Sequence, residues 1–342
     1  MKLTFHTFAW VVWLSSAAIL TLIMRNPLYL IILLLVARVV QNACGEDHAA
    51  LKISLWRLSA VIMVFSILFN LLLVHVGQTV LFRLPQNLWL IGGPLTLEAV
   101  IYGAVSALIL ITLLALFMAF NSIVSTSDLI AVIPRALANV GVVILIAVSY
   151  VPETLDHLQR VREAQALRGH RIRGLRDWQP IIIPLLVGGL ERSMNLAETM
   201  VARGYGATSG EQLAARTRAM MLAGLILIFG GWILSFSHWL PGWLLILSGG
   251  GFLALAYYEQ GRRIKRTRYK ISRWQTQDWL LVLISLLPLL LILLPFPAVS
   301  EDSITYSPYP LAKIPQFNPL VGLAIALLAA PALLVELSPL SR

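Results

Sequence analysis

Long uninterrupted apolar runs decide what this chain can fold into. Stretches 53–76 and 97–120 each carry a single formal charge, Arg57 and Glu98. The hydrocarbon core of a bilayer takes ~20 such residues as a helix, and within it every backbone N–H and C=O must be bonded inside the segment. A β-barrel would show short segments of alternating polarity instead. Runs at 8–24, 28–40, 218–234, 240–258, 278–295 and 320–337 read the same way. The expected fold class is therefore all-α, a polytopic helical membrane protein. Composition agrees: 58% of the 342 residues are hydrophobic and 12% are charged, against about 25% charged in soluble domains.

The net charge of +10 needs no nucleic acid to explain it, because Lys and Arg collect in the cytoplasmic loops of membrane proteins and set their orientation. One cysteine, Cys44, excludes an intramolecular disulfide and a cysteine metal cluster. The Cys44-Gly45-Glu46-Asp47-His48 segment has no zinc-ligand spacing and reads as a solvated loop. There is no Gly-x4-Gly-Lys phosphate loop and no His-Glu-x-x-His, so no catalytic residue, metal site or cofactor is expected. Charges are nearly absent from the middle of the runs, which argues against a secondary transporter working alone. The first run lacks a small-residue cleavage site and reads as a retained span.

Along the chain, Arg25-Asn26-Pro27 breaks the first two runs, with Pro27 suited to the first turn of a helix. Residues 77–96, with Pro85, Gly92, Gly93 and Pro94, read as a loop. Asp128 is placed to cap a helix through Pro134 and Arg135. The positive-inside rule favours a cytoplasmic-side amphipathic or re-entrant element over a span for 128–150. Pro152 is then expected to open a new, highly charged helix. Residues 218–258 read as a hairpin with an outer turn at His238 to Gly242. Residues 261–270 hold six positive charges and no acid, which places that loop in the cytoplasm. The proline-rich 296–319 goes outside, and 320–337 is the last span.

The longest polar interruption, 152–205, holds one pattern twice: Glu163-Ala-Gln-Ala-Leu-Arg168-Gly169-His170 and Glu198-Thr-Met-Val-Ala-Arg203-Gly204-Tyr205, 35 residues apart. Gly after a helical run is the usual stop, since it accepts the left-handed conformation. Arg beside it suits the negative end of the helix dipole. Each copy predicts a helix ending in an exposed Arg tip. In the second helix, about 180–203, Leu186, Leu190, Met194, Ala197 and Val201 form an apolar stripe. Arg192, Asn195, Thr199 and Arg203 form a polar one, a pattern that suits the membrane–cytosol interface. The basic turn from His170 to Trp178 suits anionic headgroups, so membrane lipid is an expected partner.

Over about 25–295 the chain resembles the transmembrane T subunits of energy-coupling factor (ECF) importers for vitamins and metals, the cobalt-importer member included. The segments that carry the resemblance are Arg25-Asn26-Pro27, Gly92-Gly-Pro-Leu-Thr-Leu97, the two Arg-Gly tips, Leu185 to Tyr205, and Asp278-Trp279 before a span. The tips are the specific part: Ala202-Arg203-Gly204 matches fully, and Leu167 stands where the family has Ala in the first copy. The resemblance implies two long coupling helices on the cytoplasmic side. It makes Arg168, Gly169, Ala202, Arg203 and Gly204, with Glu163 and Glu198 upstream, the contacts for two ABC-type ATPase subunits. It also implies one small integral-membrane S subunit that selects the substrate, a non-catalytic role, and a plasma-membrane location. The expected division is 1–127 for N-terminal spans, 128–216 for the coupling helices and 217–342 for C-terminal spans. Two other classes stand beside it: a membrane-embedded enzyme acting on a lipid or isoprenoid, and a membrane anchor for a signalling complex.

Overall fold

A computed structural model describes residues 5–45, 54–83, 93–133, 137–171, 174–205, 215–235, 242–263, 274–293 and 301–336. The chain is a polytopic helical membrane protein. In order, the helices are α1 Thr7–Ile23, α2 Pro27–Cys44, α3 Leu55–Leu73, α4 Leu97–Ile123, α5 Thr126–Ala131, α6 Ala138–Leu167 and α7 Gln179–Ala202. Then come α8 Ala215–Ser235, α9 Gly242–Arg263, α10 Thr276–Leu293, α11 Glu301–Ile304, α12 Pro319–Ala326 and α13 Ala330–Glu336. Six helical segments are long and apolar enough to cross a membrane: Pro27–Cys44, Leu55–Leu73, Leu97–Ile123, Val140–Leu167, Arg216–Ser235 and Thr276–Leu293. Packing divides the chain into two compact units, Met1–Leu129 with Lys270–Arg342, and Ile130–Tyr269.

The first unit is built around α1, α2, α4 and α10. Trp13, Leu20, Tyr29, Leu33, Leu116 and Leu281 are fully buried in its core. The Trp13 indole N–H donates to the Leu328 carbonyl at 3.0 Å, the partner a buried Trp needs. Pro27 does open α2, and Asn26 is its N-cap, accepting from Leu28 N at 3.1 Å. The Asn26 amide also donates to the carbonyls of Ser303 (2.8 Å) and Gln316 (2.7 Å). A residue chosen for local capping thus also ties down the 301–318 segment. At the start of α10, buried Asp278 accepts from Gln275 N at 2.8 Å, the back-bond of a capping box, and from His6 N at 2.7 Å. The His6 ring stacks on Trp274 at 5.1 Å, so α1 and α10 are joined at one end.

Several sequence expectations are corrected. Residues 77–96 are not all loop: β1 Val80–Arg83 pairs antiparallel with β2 Pro94–Thr96. Glu98 does lie at the end of its run, in the first turn of α4, but it is fully buried there, its carboxylate accepting from Thr79 N (3.1 Å) and Thr79 Oγ1 (2.7 Å). The carboxylate holds the ribbon down. Ser125, not Asp128, caps α5, accepting from Asp128 N at 3.2 Å. Pro152 opens nothing. It lies inside α6, which joins the apolar stretch before it to the charged stretch after it in one helix. A proline removes one backbone bond and costs about 3 kcal/mol, a local loss that a 30-residue helix absorbs. The last span is interrupted by a 3-10 turn, Leu327–Ala329, between α12 and α13. Glu46 to His48, Pro85, Gly92, Pro134, Arg135, the turn from His238 and most of the 261–270 loop lie outside the described residues.

The second unit contains α6 with α7 and the hairpin α8–α9. In the hairpin Gly224 abuts Gly249 and Gly231 abuts Gly242. Arg216 and Glu259 pair loosely at 4.0 Å at one end of the hairpin.

Candidate functional site: two capped arginine tips

Both predicted tips are made, and made alike. Arg168 and Arg203 are the C-cap residues themselves, at φ −82°, ψ 6° and φ −84°, ψ 4°. Gly169 and Gly204 follow at φ +81° and +78°. His170 N bonds to Gln165 O (3.0 Å) and Gly169 N to Ala166 O (2.9 Å). Tyr205 N bonds to Met200 O (2.9 Å) and Gly204 N to Val201 O (2.8 Å). Each pair is a complete Schellman cap, and it requires the left-handed residue that only Gly adopts cheaply.

The tips are exposed and unanswered. Among the described residues neither guanidinium has an ion-pair or hydrogen-bond partner. Leu167 next to the first is 91% exposed, and Val201 near the second is 71% exposed. The upstream acids do not close onto the arginines. Glu163 is exposed and accepts from Gln159 Nε2 at 3.0 Å. Glu198 is exposed on a small surface cavity of about 380 Å³ with Glu191, Met194 and Asn195. Beside the first tip a larger groove of about 820 Å³ is lined by Leu155, Arg162, Gln165, His170, Arg171 and Ile181. The first tip is braced from behind: the Gln165 amide donates to Pro180 O (3.2 Å), and His170 Nε2 bonds the Asp177 carbonyl (2.7 Å).

The structure does not bring the two tips together. Three contacts set the register of α6 against α7: Gln165 with Pro180, His157 with Gly188, and Glu153 with Arg192. In each the two residue numbers add to 345, so the helices run antiparallel. Arg168 then lies at the connecting turn, while Arg203 falls opposite the α6 position near 142. At 1.5 Å per residue that is about 39 Å of helix. The sequence pattern showed two tips but gave no sign of this register. The pairing residues Tyr150, Glu153, His157 and Gly188 carry no local signature, although Gly188 inside an apolar run is a hint of close approach.

Arg192 Nε lies 3.2 Å from Glu153 Oε1, the side chains 23% and 49% exposed, and its Cζ is 5.8 Å from the Tyr150 ring centroid. Partly exposed ion pairs contribute about 0.2–1 kcal/mol. Arg192→Ala is therefore expected to lower the thermal midpoint in detergent only slightly, and a loss of tens of degrees would show this estimate wrong.

Comparison with known proteins bears on what such tips do. The family model for CbiQ, cobalt transport protein, matches residues 4–215. The energy-coupling factor transporter transmembrane protein EcfT of Leuconostoc gelidum is 32% identical over 74 residues, 20% of this chain and 28% of that protein. EcfT of Ruminiclostridium cellulolyticum is 26% identical over 106 residues, 28% of this chain and 40% of that protein. EcfT 1 of Listeria monocytogenes is 24% identical over 190 residues, 46% of this chain and 71% of that protein. The chain thus matches well under half of the length of the first two relatives and about 71% of the third.

Proposed function

Because the chain belongs to the CbiQ cobalt transport protein family, we propose that it is the transmembrane energy-coupling subunit of an ECF-type importer in the plasma membrane. Two ABC-type ATPase subunits on the cytoplasmic side receive Arg168 and Arg203. A small integral-membrane S subunit captures a vitamin or a transition-metal ion. The chain hydrolyses nothing itself and passes the closure of the ATPases to the S subunit. Residues 1–127 and 217–342 act as the membrane scaffold and 128–216 as the coupling region, with Gly169, Ala202 and Gly204 shaping the tips and Glu163 and Glu198 flanking them.

One observation carries this reading: the same capped Arg-Gly end occurs twice, at opposite ends of an antiparallel helix pair, each Arg without a partner among the described residues. A guanidinium suits bidentate pairing with a carboxylate, and exposed Leu167 and Val201 gain from cover. The purified chain should neither bind nor hydrolyse ATP. After affinity capture from its own membranes it should bring ABC-type ATPase subunits, and hydrolysis should leave with them on stringent washing. Activity that stays with the chain would favour the membrane-enzyme alternative.

Orientation gives a separate expectation. In a Cys44→Ser background, Ser307→Cys should react with an impermeant thiol reagent in whole cells, and Arg171→Cys only after lysis. Both positions are exposed. The reverse pattern would put the first tip on the wrong side for a cytoplasmic ATPase.

A further inference from the structure

Between the tips, α6 and α7 touch along a short seam, and at one point of it a glycine of α7 lies directly under a ring of α6. A Cβ built on Gly188 would lie 2.5 Å from Cε1 of the His157 ring and 3.3 Å from its Nε2. No side chain fits there unless the ring or a helix moves. The adjacent Gly189, about 100° further round the helix, has nothing within 4 Å of the same position, so the contact is confined to the helix face that carries Gly188. The other seam contacts include an ion pair between partly exposed side chains, the Arg192 guanidinium over the Tyr150 ring, and an amide-to-carbonyl bond. The long side chains of the ion pair follow a rotation of one helix against the other and hold it weakly, whereas the His157 ring seated on Gly188 has only two side-chain torsions with which to yield.

The contact sits inside both levers. From His157 to Arg168 is about 16 Å of helix, and from Gly188 to Arg203 about 22 Å. A rotation of about 10° at the contact moves the second tip by roughly 4 Å, more than the span over which a hydrogen bond survives. Two tips that must meet two subunits at once need their separation fixed within that limit.

We propose that His157 and Gly188 are positioning residues: their contact is the fulcrum that fixes how far apart, and in what register, the two Arg tips are held. Its bearing on partners rests on the coupling role given above; its bearing on tip separation does not. The contact acts through helix geometry and touches neither nucleotide nor transported substrate.

The test uses the full chain with Cys44→Ser, Leu167→Cys and Val201→Cys, spin-labelled at the two exposed tip positions, with the inter-tip distance read by double electron–electron resonance. The parent should give one narrow distance. Gly188→Ala should shift or broaden it by about 4 Å, the displacement estimated from the lever length. Gly189→Ala, the same chemical change one residue on, should leave it unaltered. His157→Ala combined with Gly188→Ala should return it to the parent value, because the obstructing ring is gone. In the unlabelled chain, ATPase recovery should fall several-fold in Gly188→Ala and return in the double variant. A distance unchanged in Gly188→Ala, or not restored by His157→Ala, overturns the fulcrum. A shifted distance with undiminished ATPase recovery overturns its bearing on partners. If the unaltered chain recovers no ATPase at all, the coupling role is what fails, and the distance series decides the fulcrum by itself.

Discussion

Arg168→Ala together with Arg203→Ala should abolish recovery of ABC-type ATPase subunits while the chain is made and inserted at normal levels. Truncating one partner of a buried, hydrogen-bonded charge pair costs roughly 2–5 kcal/mol, which is more than tenfold in affinity. Each single variant should therefore weaken the assembly measurably. The double variant should do far worse than either, because two tips on one chain make the second contact intramolecular. Arg→Lys should rescue only in part, since Lys keeps the charge and loses the planar fork. If the arginines only complement their helix dipoles, each contributes about 0.3–1 kcal/mol. Lys would then replace them fully, and Ala would cost a little stability and no ATPase. The exposure of both tips and the lack of a partner for either guanidinium among the described residues is what makes the larger effect the expected one.

The second large effect is on stability. Asp278→Ala should lower the thermal midpoint in detergent by more than any substitution on the tip helices. Its carboxylate accepts from two backbone N–H groups, His6 at 2.7 Å and Gln275 at 2.8 Å, and is itself 2% exposed. The donors themselves are only part-buried, Gln275 being exposed, so water can partly replace the lost acceptor, and the two bonds together are expected to contribute about 1–3 kcal/mol. Asp278→Asn keeps one acceptor oxygen and turns an N–H toward the other donor, so it should fall between Ala and the parent. The loss should spread to the α1 end, because the His6 bond is what links α1 to α10 there. A midpoint unchanged in Asp278→Ala would mean that both N–H groups find other partners, and the joint would not depend on this residue.

What the sequence made legible was local. The apolar runs become helices because a bilayer permits little else. Asn26-Pro27 starts α2 because a cap and a fixed φ act within three residues. Gly169 and Gly204 stop their helices because the left-handed turn is a property of one residue. The family itself was readable from the Arg-Gly tips, and the match over residues 4–215 bears that out. What stayed hidden depends on partners distant in the chain. Pro152 looked like a helix start, and the continuity of the helix around it decided otherwise. Glu98 sits in the first turn of α4, where its place in the run puts it, but its bonds to Thr79, 19 positions away, have no local sign. The antiparallel register, which sets the tips far apart, rests on pairs such as Gln165 with Pro180 and His157 with Gly188. No motif announces those pairs.

The central claim is that both tips insert into ATPase subunits, and photo-crosslinking at the tips tests it most directly. A photoreactive amino acid placed at Leu167, and in a second variant at Ala202, leaves both arginines in place. Irradiation of intact membranes should join each variant to an ABC-type ATPase subunit, identified by mass spectrometry, and the product should vanish when Arg168 and Arg203 are both Ala. Crosslinks confined to lipid or to the chain itself, at both positions and in membranes that contain the ATPases, would contradict the account.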